Sequence, residues 1–223
     1  MENNFFFVDG SALLSDVKRL RNEDSTFANR RLCLTTFARI MAMEPWFASF
    51  HQNIFRRFTY YFVEGDDRLD KDLIVPDTSK PGVIEDLRIE RCGKAIKEFR
   101  AAQDWLKEHN APQHVADCLY RAEKAVDTQI CADALQLAAV GKLERLFLYT
   151  NDYDFVPLCR ALRHLGLNIN LFRLKAFSVN KELASEADAL HEFPADSLQR
   201  CFLPKVPSDA SATELTPEFR IPT

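Results

Sequence analysis

Residues 145–174 read RLFLYTNDYDFVPLCRALRHLGLNINLFRL, and the fold class turns on them. Residues 145–150 are an apolar run that stops at Asn151-Asp152, as a strand buried on both faces would. Residues 155–165 carry a helical pattern, and residues 167–174 form a second run of partly alternating polarity. Strand, helix and strand in succession make a βαβ unit, and therefore a parallel pair.

The same grammar extends outward. Residues 5–8, Phe-Phe-Phe-Val, end at Asp9-Gly10, and residues 57–63 (RFTYYFV) end at Glu64-Gly65-Asp66-Asp67. Helices are expected over residues 11–22, 28–50, 83–109 and 124–140; in the third, Ile84, Leu87, Ile96, Phe99 and Trp105 recur near helical spacing. A weaker strand is expected at 114–119, a loop at 66–82, and a Pro/Ser/Thr-rich flexible tail at 204–223. The fold class is α/β, with a mostly parallel central sheet flanked by helices on both faces. One domain is expected over residues 1–203, with helical insertions at about 15–55 and 66–110.

Composition agrees. With 223 residues, 47% hydrophobic content and 18 Phe, the chain can bury a large core, which excludes wholesale disorder. A net charge of −4 excludes a general polyelectrolyte binder, so any nucleic-acid surface is local. The first residues lack a secretory pattern and no long apolar run occurs, so a cytoplasmic protein without membrane contact is expected. The six Cys and five His are scattered, without the spacing of a zinc site.

In parallel α/β sheets ligands bind beyond the carboxyl ends of the strands, and here those ends are acidic. Asp9 closes the first strand, Asp152 and Asp154 follow the strand at 145–150, and Asp127 opens the helix in EKAVDTQICADAL, three residues after Lys124. Singly these are ordinary: Asp-Gly is a common turn, Asp a favoured helix cap. Together they define one edge of one sheet. Converging carboxylates repel unless a cation neutralises them, and hard oxygen donors suit Mg²⁺ or Mn²⁺, which can activate water and stabilise charge on a phosphoryl group.

These segments resemble a known family. FFFVDGSALL is similar to the opening FxDGxNL strand of NYN domains, in the LabA-like branch of the PIN-like nuclease superfamily. EKAVDTQICADAL resembles their K-x-VD helix, LYTNDYDFVPLCRALRHLGLNINLF their SGDxDFxPLxRxLRxxGxxV segment, and ELASEADALHEF their closing region, over about residues 4–193. The resemblance implies a Rossmann-like PIN fold and Mg²⁺- or Mn²⁺-dependent endoribonuclease activity. It assigns catalysis and metal binding to Asp9, Asp127, Asp152 and Asp154, with Asp133 an outer member. Asp133 ranks lower, being six residues after Asp127 and about 120° around the helix. Lys124, Ser11, Thr150 and Asn151 fall on substrate-contact positions. Two departures are notable: the family Asn is Ala12 here, and its SGD turn is Thr150-Asn151-Asp152.

For a phosphate track the sequence offers Arg160 and Arg163 after the acidic turn, and Arg30, Arg31, Arg56, Arg57, Arg88, Arg91, Lys94, Lys97 and Arg100 in the insertions. Phe47, Phe50, Phe55 and Phe58 are read as core rather than as base-stacking groups. The expected partner is RNA, single-stranded or structured. The alternatives are a catalytically weak module that binds RNA or a protein partner, including a second copy, through the insertions, and a DNA-directed, flap-type nuclease. A phosphatase of the haloacid dehalogenase type would need an Asp where Phe7 stands.

Overall fold

All six residues of β1 (Asn4–Asp9) are buried, because this strand lies inside the sheet with a helical layer on each face. In the computed structural model, which describes residues 3–28, 30–43, 55–64, 72–74, 84–94, 105, 108–109, 124–175 and 177–204, β1 pairs in parallel with β3 (Phe55–Glu64) on one side and β6 (Arg145–Tyr149) on the other. Outside these lie β5 (Leu87–Lys94), β7 (Asn168–Leu174) and β8 (Ala189–Phe193), giving the order β5-β3-β1-β6-β7-β8 with every pairing parallel.

Alternation along β1 feeds two cores. Phe6 and Val8 join Phe58, Tyr60, Phe147, Tyr149 and Phe172 on one face. Phe5 and Phe7 join Tyr61, Leu146, Leu148 and Leu171 on the other. The first core is closed by α1 (Gly10–Glu23) and α2 (Leu34–Met43), through Leu13, Val17, Phe37 and Met41. The second is closed by α3 (Lys124–Ala139) and α4 (Val156–His164), through Val126, Ile130, Leu158 and Leu162. The aromatic content is spent here, as in Phe6 stacked on Phe58 with centroids 4.3 Å apart.

The expected parallel sheet with helices on both faces is present, and the four expected strands lie where the apolar runs placed them. Several local readings are corrected. Within residues 28–50, Arg30–Cys33 is a strand, β2, followed by α2. Within 83–109, residues 87–94 form β5 rather than helix. Ile84 and Leu87 mimic helical spacing, but Leu87 and Ile89 face one core and Cys92 the other, which is period two. The loop at 66–82 contains β4 (Leu73–Ile74), and Phe202–Pro204 forms β9 where the tail was expected to begin. β4, β2 and β9 make a small second sheet, whose pairings join segments too distant in sequence for local pattern to reveal. The expected strand at 114–119 and residues 205–223 lie outside the described residues.

Where β1 meets α1 the backbone leaves no room for a side chain. A Cβ at Gly10 would overlap the Phe62 ring and the carbonyl oxygen of Tyr61 on β3. Gly10→Ala is therefore expected to push α1 away from the sheet and to lower stability by about 2–3 kcal/mol, measured as a reduced urea midpoint with unchanged slope.

Candidate active site

From β1 the chain runs outward to β3 and β5, then returns past β1 to β6, β7 and β8. The helix after β1 packs on one face and the helix after β6 on the other. β1 and β6 thus flank the point where strand order reverses, and the crevice at their carboxyl ends is where such sheets bind ligands. Asp9 and Thr150 stand on its two sides. The Thr150 hydroxyl donates to Asp9 Oδ2 at 2.8 Å, and both residues are buried.

The other oxygen of Asp9 caps α1: Oδ1 accepts from the backbone N–H of Ser11 at 2.9 Å and of Ala12 at 3.3 Å, as an N-terminal cap does. Burial nonetheless pushes the Asp9 carboxyl up to about 6; these hydrogen bonds oppose the rise and the nearby Asp152 charge adds to it. Asp152 belongs to a single 3₁₀ turn, Tyr153–Phe155, which it caps by accepting from the Asp154 N–H at 2.8 Å. Its own N–H donates to Thr150 Oγ1 at 3.2 Å. One threonine hydroxyl therefore holds both aspartates in place. Thr150 is wholly buried, and its hydroxyl orients Asp9. Asn151 Oδ1 accepts from the Asn180 N–H at 2.6 Å, which ties the acidic turn to the start of α5 (Lys181–Ser185). Both residues, expected as substrate contacts, thus also hold the acidic turn in place.

Asp127 lies in the first turn of α3. That helix runs antiparallel to the strands, since it leads into β6 at the opposite edge, so Asp127 belongs to the same end of the sheet as Asp9. α3 also packs on the 153–155 turn. With burial as the larger cause, the Asp127 charge helps push the Cys131 thiol up to about 11. Asp154 is exposed on the turn. Asp133 is engaged elsewhere, accepting from the Tyr61 hydroxyl at 2.9 Å and from Gln129 at 2.8 Å, as its angular offset from Asp127 foreshadowed. The side chain of Lys124 lies outside the described residues.

A model of the NYN domain matches residues 51–195. The chain belongs to the NYN domain family. NYN domains are part of the PIN-like nuclease superfamily, and the matched interval contains Asp127, Asp133, Asp152 and Asp154, while Asp9 comes to the site from the preceding β1. No curated protein matches the chain. Among solved structures it is similar to a protein of unknown function from Vibrio parahaemolyticus, at 12% identity and a TM-score of 0.44, over 91% of this chain and 97% of that one.

As to a metal in this NYN site, among the described residues no three His, Cys, Asp or Glu side chains are grouped to hold one ion. Asp9 and Asp152 do come within electrostatic reach of each other. Two carboxylates suffice for Mg²⁺, which commonly completes its shell with water and substrate phosphate. The donor chemistry fits that mode and does not fit an all-protein cage.

Behind Asp9 lies a group that the sequence reading did not single out. Asp16 on α1, 3% exposed at its side chain, accepts from the Tyr149 hydroxyl at 2.7 Å and pairs at 3.4 Å with the equally buried Arg173 of β7. Burial pushes Asp16 above the usual carboxylate range, against the pull of Tyr149 and Arg173. Two signals were present: Asp16 interrupts the apolar stripe Leu13, Val17, Leu20, and Arg173 interrupts a buried strand. A buried charge in such a position requires a partner.

The expected phosphate track is largely occupied. Arg160 pairs with Glu186 at 2.7 Å and Glu182 at 3.3 Å, and Arg163 with Glu186 at 3.5 Å and Asp188 at 4.0 Å. Asp188 accepts from the N–H of Ile169 at the start of β7, so Arg163 stands toward the sheet edge opposite Asp9. Arg57 and Arg88 both meet Asp86, Arg56 meets Asn3 and Glu85, and Arg31 reaches the carbonyl of Leu73 on β4. Arg30 is half-buried on β2, and Arg91 is exposed on the edge strand β5. The Lys94 side chain, Lys97 and Arg100 lie outside the described residues.

Two outcomes are expected of this NYN domain. An aspartate in an unfolded chain titrates near about 4, whereas Asp9 in the folded protein titrates at about 6. Between these values the folded state holds a proton that the unfolded state has released, so stability falls as pH rises through that window. Asp9→Asn should thus be more stable than wild type at pH 7.5, by on the order of 2–3 kcal/mol, with the gap closing toward pH 4; a denaturation series across pH measures it. Asp16→Ala should cost about 3–5 kcal/mol at neutral pH, because Arg173 is left charged and buried, and chemical denaturation checks this.

Proposed function

We propose that this NYN domain is a Mg²⁺- or Mn²⁺-dependent endoribonuclease of the LabA-like branch, acting in the cytoplasm. The observation that carries the reading is the Asp9–Thr150–Asp152 arrangement at the switch point, where a buried carboxylate held by one hydroxyl faces a second, exposed carboxylate. Asp9 and Asp152 would hold the ion, with Asp127 and Asp154 at the same edge. When bound it would lower the pKa of a coordinated water and neutralise charge developing on the phosphoryl group.

The chain's own residues do the remainder. The Ser11 and Ala12 N–H groups and the Thr150 hydroxyl fix Asp9, so its orientation is set before substrate arrives. Near pH 7 Asp9 is mostly ionised, and below about 6 it takes up a proton and loses its affinity for a cation. Activity should therefore fall on acidification through that range. Ala12 favours a second reading, a catalytically weak module that binds RNA or a protein. Its N–H donates to the Asp9 cap, while its methyl group packs against the core under α1 and offers no amide to substrate.

Purified protein incubated with single-stranded RNA, structured RNA and DNA, in Mg²⁺, Mn²⁺ or EDTA, separates these readings. Cleavage of RNA that EDTA abolishes is expected. Cleavage confined to DNA would point to a flap-type activity, and binding without cleavage to the weak module. Asp152→Asn should lower metal-dependent cleavage by roughly two orders of magnitude or more with little change in melting temperature, since Asn still caps the turn. Undiminished cleavage across Mg²⁺ and Mn²⁺ titrations would remove Asp152 from the mechanism.

A further inference from the structure

Tyr153 is the exception among the described tyrosines and phenylalanines. Tyr60, Tyr61 and Tyr149 are at most 1% exposed and every described phenylalanine is buried, yet Tyr153 is 53% exposed between the two aspartates of the acidic turn. Its presentation is rigid. The turn is tied down by the Asp152 N–H to Thr150, by the Asp154 N–H to Asp152, and by Phe155, wholly buried two residues on. It packs against α3, α4 and α5. The ring is thus held out beside the carboxylates at little entropic cost.

Its neighbourhood is acidic. Among the described residues, Asp9, Asp127, Asp152 and Asp154 repel a phosphate backbone, and Arg160 and Arg163 are taken up by Glu182, Glu186 and Asp188. An aromatic face stacking on a nucleobase supplies affinity beside the carboxylates that does not depend on charge. A base in a duplex has both faces covered, whereas a base in a single strand offers one. We propose that Tyr153 is the stacking platform for an unpaired base, and that it directs this site toward single-stranded rather than double-stranded RNA. The inference rests on the nuclease reading above.

The test is binding of a labelled single-stranded RNA, the same strand with one abasic position moved along it, and its full duplex, measured in EDTA over a salt series, with cleavage of the same strands in Mn²⁺. Tyr153→Ala should weaken single-strand binding roughly five- to a hundredfold without changing the slope against salt, since no phosphate contact is lost. Tyr153→Phe and Tyr153→Trp should restore it, and duplex binding should be unaffected. Tyr153→Ala binding within twofold of wild type, or Phe failing as Ala does while circular dichroism is unchanged, would overturn the platform and leave the nuclease reading standing. Wild-type protein that neither binds nor cleaves any strand would overturn both.

Discussion

The hydrogen bond from Thr150 to Asp9 joins the carboxyl ends of β1 and β6 at the one place where helices leave the sheet toward opposite faces. The candidate site is built around it. The bond belongs to a closed circuit: Asp9 caps α1, α1 carries Asp16, Asp16 accepts from Tyr149, and Tyr149 is followed by Thr150, which returns to Asp9. A displacement of β6 would break two buried hydrogen bonds at once, and one of α1 would break the Tyr149–Asp16 bond together with the cap at Asp9. Arg173 extends the circuit to β7, so the position of a single carboxylate is underwritten by one helix and three strands.

The circuit is affordable because the sheet around it is so apolar. β1 sends Phe6 and Val8 to one core and Phe5 and Phe7 to the other, and such two-sided burial leaves no slack in register, since a slip of one residue would exchange the two sets. Asp9 then sits at the depth its neighbours dictate, buried by Thr150, the α1 terminus and the β3 edge. Its raised pKa is a consequence of that depth. Asp152, one turn farther out, meets solvent, so the two carboxylates differ in environment rather than in chemistry.

Much of this was legible in the sequence wherever the information was local. Continuous apolar runs ending at Asp9 and Thr150 located the two central strands, and the acidic residues after them located the edge. What could not be read depended on partners far along the chain. Arg30–Cys33 is a strand only because Leu73–Ile74 and Phe202–Pro204 flank it. β5 borrows helical spacing from Ile84 and Leu87 while alternating in fact. Arg160 and Arg163 looked like free cations until Glu182, Glu186 and Asp188 were brought beside them. Asp16 and Arg173 were readable and passed over, each a charge within an apolar pattern.

The separation of Asp9 from Thr150 has a further consequence for biogenesis. The two residues are 141 positions apart, and Asp9 leaves the ribosome well before Thr150. During synthesis the nascent chain carries that carboxylate without its hydroxyl partner until β6 emerges, and β2 waits longer still for β9. Contacts of such span form late and slowly. The acidic centre therefore cannot assemble before β6 is made, and a chain stalled before β6 would expose a Phe-rich strand with no neighbour on that side, a segment prone to association with other unfinished chains.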